Sequence, residues 1–129
     1  MSTIKCFEDL RCWQSARELC KLIYGFTRKE KFSKDFSLVK QIRDSSGSGM
    51  DNISEGFDRA GNKEFIQFLS VSRGSIAEVK SQLYRALDQN YIDDDEFQQS
   101  YHLANQTSKE ATSLIKYLKN SDMKGFKFS

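Results

Sequence analysis

Proline is absent from the 129-residue chain, and histidine and tryptophan occur once each. Without proline no helix has a built-in kink, so each break must come from Gly, Asn, Ser or Asp. The lone His102 cannot complete the Glu-x-x-His pairs of a di-metal helical bundle. It also lies far along the chain from Cys6, Cys12 and Cys20, which argues against zinc. Those three cysteines are odd in number and lack CxxC spacing, so the expectation is free thiols in a reducing compartment. No apolar run approaches the ~18 residues of a membrane span. The opening MSTIKCFEDLRCW lacks a signal-peptide apolar core, which places the expected location in the cytoplasm. An excess of one charge sign is lacking too. The net charge of +2 does not by itself announce a nucleic-acid binder.

What is present is a soluble, globular composition, with 38% apolar and 29% charged residues. The length suits one domain. Its charge is unevenly spread: residues 1–43 hold ten Lys and Arg against five acids, and the remainder ten against thirteen. A basic leading third on a near-neutral chain is a weak signal of an acidic partner.

The periodicity is helical throughout, with no sustained alternation, so no sheet is expected. Leu10, Trp13, Ala16, Cys20, Ile23 and Thr27 mark the apolar face of a first helix over about Asp9–Lys31. Arg11, Gln14, Glu18, Lys21, Gly25 and Lys29 lie opposite, as a solvent stripe. A second helix is expected over Ser33–Ala60, capped by Ser33, with Val39, Ile42, Ser46, Met50, Ile53 and Phe57 as its core stripe. Gly61 ends it and Asn62 can cap a third helix reaching about Gln89. Asp93 and Glu96 resemble a capping box for a fourth helix, with Phe97, Tyr101, Ala104, Ser108, Ala111, Ile115 and Leu118 inward. Four long rods on short loops predict an all-α, up-and-down antiparallel four-helix bundle over 9–119. Residues 1–8 form a lead-in and 120–129 a flexible basic tail.

The second helix carries a further stripe on one flank: Leu38, Ser45, Gly49, Asn52, Gly56 and Arg59. Interior glycines cost about 1 kcal/mol each relative to alanine, and close approach of another backbone is the simplest compensation. That backbone belongs either to another helix of the bundle or to another subunit. Asn52, Glu55 and Arg59 would form a polar cluster on this flank. On the third helix Gly74 and Glu78 fall away from the core face. Arg73 joins Ile66, Ala77 and Tyr84 in a patch that is neither plain core nor plain solvent. Three distinct faces are more than a lone bundle covers, so self-assembly is expected. The candidate interface is Gly49, Asn52, Glu55, Gly56, Arg59, Arg73, Gly74 and Glu78.

These stretches resemble the small four-helix-bundle proteins encoded within intervening sequences of bacterial large-subunit ribosomal RNA genes. The accessory variability determinant of diversity-generating retroelements is similar in fold to that family. Phe7, Asp9, Leu10, Trp13 and Ala16 fit the family's opening. Gln41, Ser48, Asn52, Ile53, Glu55, Gly56 and Arg59 fit its Asn-Ile-Ala-Glu-Gly signature. Phe65, Phe68, Leu69, Gly74, Ser75, Glu78 and Leu83 fit its Gly-Ser-x-x-Glu helix. Ser33 and Met50 stand where proline is usual, Ser54 replaces an alanine, and Asp44 replaces an arginine, which weakens any nucleic-acid surface near the signature. The resemblance implies a ring-shaped homo-oligomer, a pentamer, without catalytic activity or cofactor. It also implies binding to RNA or DNA, or assistance to a reverse transcriptase. Arg11, Lys21, Arg28 and Lys29 on the outer face of the first helix are the candidate phosphate contacts. The alternative function is a protein–protein scaffold with no nucleic-acid contact. An enzyme using Glu55 and Glu78 as paired carboxylates is disfavoured, because no histidine or nucleophile accompanies them.

Overall fold

The computed structural model describes residues 4–59 and 61–121. Residues 1–3 of the lead-in, Ala60 at the end of the second expected helix, and the expected tail from residue 122 onward lie outside the described residues. A single 3₁₀ turn at Phe7–Asp9 precedes α1 (Arg11–Thr27), a one-turn α2 (Glu30–Ser33), α3 (Phe36–Asp58), α4 (Asn62–Asp88) and α5 (Asp94–Asn120). No strand occurs among the described residues.

The first helix is shorter than its periodicity suggests. The chain turns at Arg28 and Lys29, and α2 follows, because Phe32 is drawn fully into the core and stacks on Tyr91 at 5.0 Å. Ser33 therefore does not cap the next helix; it closes α2, its hydroxyl donating to the Glu30 carbonyl (2.8 Å). Asp35 is the cap of α3. One of its carboxylate oxygens accepts from the Leu38 amide (3.1 Å), and the other accepts from the Tyr91 hydroxyl (2.9 Å). Likewise Gly61, not Asn62, holds the cap position of α4, with φ of +87°, a conformation that favours glycine. Asn62 is free to donate instead to the Leu118 carbonyl (3.2 Å), tying the start of α4 to the end of α5. At α5 the capping box forms as its sequence implies: the Glu96 amide donates to Asp93 (2.8 Å), and Glu96 accepts from the Asp93 amide (2.9 Å).

The long helices close antiparallel in the order α1, α3, α4, α5 and back to α1. Cross-helix hydrogen bonds fix the sense. Cys20 donates to the Ser46 carbonyl (3.2 Å) and Arg43 to Thr27 (2.9 Å) between α1 and α3. Arg85 donates to Gln41 (3.0 Å) between α4 and α3. Ser15 donates to Glu110 (2.6 Å), joining α1 to α5.

The buried apolar side chains fall into two groups. One contains Leu19, Ile23, Phe32, Ile42, Ile76 and Leu83. The other contains Leu10, Ala16, Ile53, Phe65, Leu69 and Ile115. Between them on α3, α4 and α5 lie Ser46, Gly49, Ser72 and Thr107, all buried. Each hydroxyl in this layer is satisfied by a helical carbonyl: Ser46 donates to Arg43 (3.2 Å), Ser72 to Gly49 (2.6 Å) and Thr107 to Leu103 (2.9 Å). The core stripe of α3 is also rotated from the expected one. Leu38, Ser45, Gly49 and Gly56 are buried, whereas Val39 and Met50 are only half-buried.

Candidate nucleic-acid and protein interface

The outward side of α1 carries Arg17, Lys21, Tyr24 and Arg28 at steps of four, three and four, so they share one helical stripe. With Cys20 and, from α3, Met50, they line a shallow groove along the α1–α3 seam. Arg43 of α3 places its guanidinium 4.4 Å from the Tyr24 ring centre, and its Nε–H donates to Thr27. Arg17 stands 5.8 Å from the Trp13 ring. The seam is thus basic, with aromatic rings interleaved. Among the described residues only one of its four cations is in an ion pair, the exposed Lys21–Glu18 contact at 3.4 Å. Such a contact contributes little and leaves the ammonium available.

Two of the four expected phosphate contacts are therefore brought together, Lys21 and Arg28. Arg11 is exposed, but it opens α1 and lines a different depression, with Ile4, Leu10, Cys12 and Leu114. It lies about 25 Å along the axis from Arg28. Lys29 is turned toward α5, where its ammonium meets Glu96 at 2.6 Å. Arg17 was legible as the residue one turn before Lys21. Arg43 was not, because only the packing of α3 on α1 brings it to Tyr24.

The environment of the thiol in the seam disfavours its thiolate. Burial pushes Cys20 upward from its ordinary range, more than its hydrogen bond to Ser46 pulls it down. Cys12 is pushed up to about 12 by burial, with a smaller contribution from Glu110.

The glycine flank of α3 is filled by α4 of the same chain. A methyl group at Gly49 would lie 2.6 Å from Ile76 Cδ1, and one at Gly56 would lie 2.6 Å from Phe68 Cβ. Asn52 is half-buried and bonds within its own helix, its Nδ2 donating to the Ser48 carbonyl (2.8 Å) and hydroxyl (3.0 Å). Ser48 in turn meets Ser75 of α4 at 2.8 Å. Glu55 and Arg59 form an i, i+4 pair at 2.8 Å with both side chains about half exposed, and Arg59 lies 5.1 Å over the Phe68 ring. Arg73, Gly74 and Glu78 are exposed on α4, and a methyl at Gly74 would meet nothing within 4 Å. The expected cluster thus divides into an internal helix contact and an outward face of α4.

That outward face adjoins a polar groove along the α3–α4 seam, lined by Gln41, Asp44, Ser45, Ser48, Glu78 and Gln82. It carries two carboxylates, Asp44 and Glu78, with Lys40 paired to Asp44 (2.7 Å) and Arg85 donating to Gln41 (3.0 Å) at its edge. His102 is exposed. Among the described residues no group of three or more His, Cys, Asp or Glu is placed to hold a metal ion. Among them, too, no helix is long and apolar enough to cross a membrane.

Residues 8–113 match the family model described as 23S rRNA-intervening sequence protein. Among solved structures, the chain is similar to a protein with unknown function from the S23 ribosomal protein family of Bacteroides thetaiotaomicron. That crystal structure shares 24% identity and a TM-score of 0.74, covering 81% of this chain and 98% of the other. No curated protein matches the chain.

Proposed function

Given that the chain belongs to the 23S rRNA-intervening sequence protein family, we propose that it is a non-enzymatic accessory protein that assembles with copies of itself and contacts RNA or DNA. On this reading it acts in the cytoplasm as a ring, a pentamer, alone or beside a reverse transcriptase, and it uses no cofactor. The observation that carries the nucleic-acid part is the α1–α3 seam, where Arg17, Lys21 and Arg28 line one groove with the partly exposed Tyr24 and Arg43 lies against its ring. Guanidinium groups suit phosphate oxygens, and a flat ring beside them suits an unstacked base. Without a recognition helix or zinc module, binding would be sequence-tolerant and dominated by the backbone. Assembly around an axis would repeat the seam and multiply its local field.

Anisotropy titrations of a structured RNA at low and moderate salt test this. Binding is expected to weaken steeply with salt, since each neutralised phosphate releases counterions. Converting both Arg17 and Arg28 to Glu should abolish it while leaving helical content unchanged, because both side chains point outward. Absence of binding at the lower salt sinks the proposal.

A second reading, a protein scaffold without nucleic-acid contact, draws on different side chains. Phe36 is 81% exposed, and Val71 and Tyr84 are about half exposed. A partner that co-purifies through nuclease treatment and high salt, from a protein that does not shift RNA, would favour it.

A further inference from the structure

The α3–α4 groove contains acceptors that its own chain leaves without donors. Gln82 is only 8% exposed; its Nε2 donates to Ser45 Oγ (3.1 Å), yet Oε1 is buried with no hydrogen-bond partner. A buried amide oxygen left unpaired destabilises the fold until a donor reaches it. One helical turn away Glu78 is exposed, and no ion pair holds its carboxylate among the described residues. Asp44 adds a second carboxylate at the rim, shared with Lys40 at 2.7 Å. Beside Glu78, Gly74 leaves the α4 surface open, so a neighbouring backbone can come close.

We infer that this groove is the seat for a cationic side chain presented by a second copy of the chain, with Glu78 taking the charge and Gln82 Oε1 accepting an N–H. A copy is favoured as occupant because the protein carries complementary charge. Its first 43 residues have a surplus of five positive charges. Arg11 and Arg73, which lie outside the basic α1–α3 seam, are exposed and held by no ion pair among the described residues. A donor on one face entering an acceptor groove on another is a head-to-tail contact, which closes into a ring when the rotation permits. This inference rests on the self-assembling reading above and names its contact.

Sedimentation velocity of the full chain and of two variants, Glu78→Lys and Gln82→Leu, tests it, with circular dichroism confirming helical content. The wild type is expected to sediment as an oligomer. Glu78→Lys should raise the dissociation constant by about tenfold or more, since it opposes like charges across the contact. Gln82→Leu should weaken assembly, because it removes the accepting oxygen. A purely internal role for Gln82 would move the midpoint and leave assembly untouched. If the wild type is oligomeric and both variants match it, the groove assignment is overturned and the assembly reading survives. If the wild type is a monomer at micromolar concentration, both fall together.

Discussion

Single positions in α3 differ sharply in what they tolerate, although glycine recurs there. The Cβ of Gly56→Ala would meet Phe68 Cβ, which is fixed directly to the α4 backbone and cannot rotate away. That substitution should cost about 1–3 kcal/mol, read as a fall in the urea midpoint. At Gly49 the obstacle is the outer end of the buried Ile76 side chain, not an atom fixed to the backbone, so Gly49→Ala should cost less. Gly47 faces open space, and Gly47→Ala should stabilise the protein by about 0.5–1 kcal/mol through helix propensity. The cysteines are graded in the same way. Cys6 is exposed, Cys20 is half-buried and Cys12 is buried with its thiol pushed up to about 12. Alkylation at mildly alkaline pH should therefore proceed in the order Cys6, Cys20, Cys12, followed by peptide mass analysis. Since burial also raises Cys20, its labelling should quicken as the pH climbs.

Helix boundaries were legible where side-chain chemistry decided them and obscure where burial did. The Asp93–Glu96 box could be read directly, because a cap and its reciprocal partner sit three residues apart on a chain with few rivals. At the start of α3 the sequence pointed to Ser33, and the cap is Asp35. The choice is made by Phe32, whose insertion into the core consumes Ser33 in α2, an event that local sequence does not announce. Asp35 then carries two duties, capping α3 and holding Tyr91 of the α4–α5 connection. Asp35→Ala should accordingly cost more than Asp93→Ala, which is expected to lose about 1 kcal/mol by thermal unfolding. The glycine flank was recognisable as a close contact from sequence. That α4 of the same chain occupies it follows only from the antiparallel register. In the basic seam, Lys21 and Arg28 were visible as a stripe, whereas Arg43 needed the crossing of two elements to join them.

At the scale of the whole molecule, two different seams flank α3, a basic one against α1 and a polar one with the carboxylates of Asp44 and Glu78 against α4. If copies join through the α3–α4 groove, the thermal midpoint should rise with protein concentration, as it does wherever association favours the folded state. Differential scanning fluorimetry across a hundredfold dilution would register this, and a flat profile would speak for a monomer. Inside the protomer, the layer of Ser46, Gly49, Ser72 and Thr107 works as a narrow waist, with one greasy lobe above and another below. Ile23 fills one lobe and Ile115 the other. Ile23→Val and Ile115→Val, each expected to cost about 0.5–1.5 kcal/mol, should sum in the double variant to within about 0.5 kcal/mol. Either lobe could then drift or be re-engineered without disturbing its twin, so long as the hydrogen-bonded hydroxyls of the waist stay in place.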